Sequence, residues 1–102
     1  MPYVLGARGS IVAVLWADRD PLRVPALADR QNKILWVSKV DVRAGAPLWI
    51  RATLNGTGRT VTRELAQGPG PSYVNLPAAG CWSLSLSWSG HHDQLELRYT
   101  AS

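Results

Sequence analysis

Between Trp82 and Trp88 the chain alternates without a break, with Trp82, Leu84, Leu86 and Trp88 on one parity and Ser83, Ser85 and Ser87 on the other. A period of two belongs to a strand with one buried face, whereas a helix would scatter the serines around its surface. After Ser89-Gly90-His91-His92-Asp93 a second alternation sets Leu95, Leu97 and Tyr99 against Gln94, Glu96 and Arg98. Together the two runs predict a β-hairpin with a short polar loop over 89–93.

The rest of the chain also reads as strands and loops. Residues 10–16 are almost wholly apolar and rich in β-branched side chains, which predicts a first strand covered on both faces. It follows a flexible Gly6-Ala7-Arg8-Gly9. Over 17–32, Pro21, Pro25 and the charges predict a crossing between sheets, with room for one helical turn over Ala26, Leu27 and Ala28. Residues 33–42 predict a central strand. Residues 48–54 place Leu48, Ile50, Ala52 and Leu54 on one face and Trp49, Arg51 and Thr53 on the other. Asn55-Gly56-Thr57-Gly58 is the strongest turn signal in the chain, and it fits an N-glycosylation acceptor pattern on an exposed tip. Residues 60–65 return from it. There Arg59 and Arg63 share parity with Val61 and Leu65, as expected of an edge strand whose arginines discourage sheet-to-sheet association. A short strand over 72–76 leads into the final hairpin. The count is about seven strands, without repeat or second domain, so 1–102 reads as one all-β, two-sheet sandwich.

The order Pro77-x-x-Gly80-x-Trp82-x-Leu84-x-Leu86, then a Gly-bearing turn and Leu-x-Leu-x-Tyr, resembles the last two strands of bacterial immunoglobulin-like domains. The resemblance covers residues 76–100. It implies an immunoglobulin-like sandwich of the disulfide-free branch, since Cys81 has no partner and Ala79 stands where the corner motif carries tyrosine.

Composition narrows the function classes. Apolar residues make up 46% and charged residues 18%, so the chain is globular, and no run approaches the ~20 apolar residues of a membrane-spanning helix. No basic region followed by an apolar stretch and a cleavage site is legible near Met1, yet an extracytoplasmic setting is expected over a cytoplasmic one. A single cysteine excludes an internal disulfide and an all-cysteine metal site; Cys81 reads as a small, half-buried apolar residue. The net charge of +4 would suit acidic partners, but the basic residues are dispersed and not interleaved with aromatics, so no nucleic-acid partner is expected.

Candidate chemistry is sparse. Cys81 or one of Ser83, Ser85 and Ser87 could be paired with His91 or His92, but nothing pre-organises an oxyanion hole on a regular strand, and an enzyme is not expected. Neither is a cofactor. The five tryptophans, Trp16, Trp36, Trp49, Trp82 and Trp88, are the most unusual feature; Trp36, Trp82 and Trp88 read as core residues whose indole N–H finds a backbone partner. Trp49 instead falls on the polar parity beside Arg51. The expectation is therefore a non-catalytic binding or protein-interaction module that uses Trp49, Arg51 and Arg63 as its ligand-binding residues. Its partner would be a protein, a second copy of the chain included, or a carbohydrate. The alternative is a metal or small-ligand site at the His91-His92-Asp93 tip, although neighbouring residues of a strand point to opposite faces.

Overall fold

A computed structural model of the chain describes residues 2–15, 22–26 and 32–101. Through them run nine strands: β1 (Tyr3–Leu5), β2 (Ile11–Leu15), β3 (Arg23–Val24), β4 (Lys33–Ser38), β5 (Leu48–Leu54), β6 (Thr60–Leu65), β7 (Pro71–Tyr73), β8 (Gly80–Trp88) and β9 (His91–Ala101). They build two sheets, ordered β1-β2-β4-β7 and β3-β9-β8-β5-β6. All pairings are antiparallel except β3 with β9, which run parallel. The fold is thus all-β, and among the described residues no helix is long and apolar enough to cross a membrane.

The alternation seen in the sequence decides what lies between the sheets. Ile11, Ala13, Ile34 and Trp36 from one sheet meet Leu48, Ile50, Ala52, Trp82, Leu84, Leu86, Trp88, Leu97 and Tyr99 from the other, all nearly or wholly buried. Three large indoles can be enclosed because each N–H has a partner. Trp82 donates to the Ala78 carbonyl at 2.9 Å, Trp36 to Ser72 Oγ at 3.2 Å and Trp88 to Ser38 Oγ at 2.9 Å. Only the first of these is the backbone partner expected. The described residues leave no buried side-chain polar atom without a hydrogen bond.

Several expectations need correction. The final turn is two residues long, Ser89-Gly90, and both have positive φ, so His91, His92 and Asp93 already belong to β9. Asp93 shares the parity of Leu95 and Leu97 and is buried. The Gly6–Gly9 loop is not loose: the Asp93 carboxylate accepts from the amides of Arg8 (2.8 Å) and Ser10 (2.9 Å), and the Ala7 amide bonds to the Gln94 carbonyl. β4 stops at Ser38, short of Val42, because the Ser38 hydroxyl bonds to the Val40 carbonyl and amide and so closes a local turn. β7 covers Pro71–Tyr73, with the chain from Val74 to Leu76 outside any strand. Cys81 is exposed, on the serine parity of β8. β1 and β3, three and two residues long, were not anticipated. Trp16 and the suggested turn at Leu27 and Ala28 lie outside the described residues.

The reading of β2 as covered on both faces is met, among the described residues, on one face only. Ile11, Ala13 and Leu15 enter the core, while Val12 and Val14 are half-buried on the outer face. Cross-strand pairing continues that face outward: Tyr3, Val14, Leu35 and Pro71 form one row and Leu5, Val12 and Val37 the next.

Candidate binding face

The outer face of the five-stranded sheet carries the polar parity of four strands, and register sorts it into rows. Glu64, Trp49, Ser87 and His92 lie side by side; then Thr62, Arg51, Ser85 and Gln94; then Thr60, Thr53, Ser83 and Glu96. Directly paired residues of an antiparallel sheet share a face, so each row is a set of neighbours. Side-chain length gives the surface its shape. The serines of β8 make a low floor, flanked by Trp49, Arg51 and Thr53 on β5 and by His92, Gln94 and Glu96 on β9. The walls stand two strand spacings apart, about 10 Å, and the floor from Ser83 to Ser87 runs about 13 Å.

Two concavities lie along this furrow. One, of about 510 Å³, is lined by Arg51, Thr53, Ser83, Ser85, Gln94, Glu96 and, from the loop that crosses the β9 edge, Ala7. The other, of about 270 Å³, lies at the Trp49 end with Arg43, Pro47 and Ser87. The first has a fixed hydrogen-bonding end: Glu96 Oε1 accepts from Asn55 Nδ2 at 3.0 Å, and Ser83 Oγ, 3.2 Å from the same carboxylate oxygen, donates to Asn55 Oδ1 at 2.7 Å. The Asn55 amide is thereby engaged, although the turn that carries it is exposed as expected.

The three predicted binding residues divide. Trp49 is 46% exposed and Arg51 is exposed beside it, two residues along the same strand face. No hydrogen bond or ion pair within the described residues engages the Arg51 guanidinium. Arg63 is elsewhere. It pairs with the buried Ile50 and so emerges on the inner face of β6, where its Nε and Nη2 donate to the Asn75 carbonyl at 3.3 and 3.2 Å. β6 is an edge strand, as the arginine parity suggested, but Arg63 closes the open side of the sandwich instead of facing the furrow. Tyr99 lies near it, its pKa raised by burial, and donates from its hydroxyl to the Val74 carbonyl at 2.7 Å.

The His91-His92-Asp93 side chains also diverge. His91 turns to the Asp41 carbonyl (3.1 Å) and packs near Trp88, His92 lies on the furrow side, and Asp93 is buried under the Gly6–Ser10 loop. Among the described residues no group of three or more His, Cys, Asp or Glu side chains could hold a metal ion. His92 Nδ1 lies 3.1 Å from Ser87 Oγ, which is a nucleophile-and-base spacing. No described carboxylate bonds to His92 to orient it. Moreover, β8 is paired on both sides, so its amides are engaged in the sheet and do not form an oxyanion hole.

Parity alone places Trp49 and Arg51 on the outer face, but it does not give the register that brings β5 and β9 to opposite sides of β8 and so sets Asn55, Gln94 and Glu96 around the same furrow. Comparison of the chain with family models, curated proteins and solved structures finds no match.

Proposed function

We propose that this chain is an immunoglobulin-like module that binds a carbohydrate, without catalysis, in the outer furrow of the five-stranded sheet, in an extracytoplasmic setting. The strand order supports the architecture: β4 next to β7 matches the B–E pair, and β9-β8-β5-β6 matches the G-F-C-C′ order of that fold. The observation that carries the function is Trp49, a large apolar ring left 46% exposed in a surface otherwise made of hydroxyl, amide and charged groups. Burying such a side chain in full is worth about 3 kcal/mol, so at 46% exposure just under half of that, about 1.4 kcal/mol, is left to a ligand.

The furrow favours a sugar for two reasons. The sheet's own ladder uses the backbone groups beneath it, so recognition falls to side chains, and Ser83, Ser85, Gln94, Glu96 and Asn55 offer donors and acceptors suited to hydroxyls, with Trp49 as an apolar platform. Glu64 and Glu96 balance Arg51 and Arg98 on this face, which disfavours a polyphosphate chain. The test is a glycan array probed with the labelled protein and with Trp49→Ala and Arg51→Ala. The reading expects a glycan whose signal is lost in both variants while each keeps its melting temperature. Signals indifferent to both substitutions, or captured proteins in place of glycans, would contradict it.

A further inference from the structure

The outer face of the four-stranded sheet is the surface this fold leaves unexplained. Tyr3, Leu5, Val12, Val14, Leu35, Val37, Pro71 and Tyr73 occupy it in register, and Lys33, beside Tyr73, is the charged strand residue on it. Tyr3 is 68% exposed, Leu5 48%, Val37 42% and Tyr73 58%. At about 200 Å² for a tyrosine side chain, the two rings alone expose roughly 250 Å². With the aliphatic rows between them the patch passes the few hundred Å² that monomeric proteins tolerate. We propose that it is a self-association interface, on which a second copy of this chain packs sheet against sheet about a two-fold axis.

Three observations select a second copy as the occupant. A two-fold interface must be its own complement, and a flat, apolar sheet face meets that condition without charge pairing. Two chains of net charge +4 repel, and this face lets them meet with few cations opposed. An acidic partner, by contrast, would be recognised through arginines, and the described strand residues of this face include none. The area sets the strength: a face built of four strands of three to six residues falls short of the roughly 800 Å² per partner found in stable complexes, so the dimer is weak and concentration-dependent. Because the two sheets present opposite outer faces, such a dimer keeps both Trp49 furrows free and makes the assembly bivalent.

Sedimentation equilibrium from about 10 μM to about 500 μM tests this, since association must follow mass action. The weight-average mass should climb from 11.1 kDa toward twice that value. Leu5→Lys with Val37→Lys, both at solvent-facing strand positions, should hold the mass at one chain across the range and leave the dilute protein's melting temperature within a few degrees of native. The milder Tyr3→Ser with Tyr73→Ser should weaken association at least tenfold. Trp49→Ala should change nothing. A native protein that stays monomeric at the highest concentration overturns the proposal, as does a dimer that survives the lysine pair or one that Trp49→Ala dissolves.

Discussion

The carboxylate of Asp93 fills the space that a side chain on Gly6 would need. One residue opens the loop between β1 and β2, the other lies near the start of β9, and the contact ties the two sheets together at one end of the sandwich. Asp93→Asn keeps the shape but gives up an acceptor for the Arg8, Ser10 and Gln94 amides, and should cost about 2 kcal/mol. Gly6→Ala should cost at least as much, and far less in an Asp93→Ala background, where the space is free. Urea unfolding of the single and double variants checks this; strictly additive losses would show that the contact is incidental.

The same carboxylate makes stability depend on pH. Burial pushes its pKa up, the largest single influence, but amide donors from Arg8, Ser10, Gln94 and Ile11 together outweigh it and hold the group below its ordinary value of 3.8. A depressed folded-state pKa contributes stability that is complete above the unfolded value and is lost as pH falls through the folded one. The difference in urea midpoint between the native protein and Asp93→Asn should therefore be constant above about pH 5 and narrow steadily below about pH 4. A difference that widens on acidification would contradict the assignment.

Arg63 separates structure from recognition. Its bonds to the Asn75 carbonyl hold the β6 edge to the segment after β7, so Arg63→Ala should lower stability by about 1 kcal/mol and leave furrow binding unchanged. Thermal melts beside glycan titrations check it, and lost binding with intact stability would return Arg63 to the recognition surface.

Leu84 reports on the core. It is 1% exposed between β5 and β9, and Leu84→Ala should cost about 2 to 5 kcal/mol through lost transfer energy and a residual cavity. A loss below about 1 kcal/mol in chemical denaturation would mean that the face had been misassigned.

How far the fold could be read ahead of the structure follows from what carries each feature. Period-two alternation is local, so β5, β6, β8 and the outward parity of Trp49 and Arg51 were legible residue by residue. Asp93 was not: an aspartate after two histidines reads as a polar tip, and its burial depends on amides that include those of the distant Arg8 and Ser10. Arg63 misled for a related reason, because its parity was correct but the accepting Asn75 carbonyl belongs to another strand's exit. β1 and β3 are too short for periodicity to register. The doubly apolar β2 announced two covered faces, and among the described residues only one has its cover.

The role of Trp49 is measured by titrating an array-identified glycan into native protein and Trp49→Ala by calorimetry, with a melt of each. Trp49→Ala should melt within about 2 °C of native and bind at least tenfold more weakly, the loss expected when an aromatic platform of about 1.4 kcal/mol or more is removed. A variant that unfolds, or one that binds as tightly as the native protein, would contradict that role.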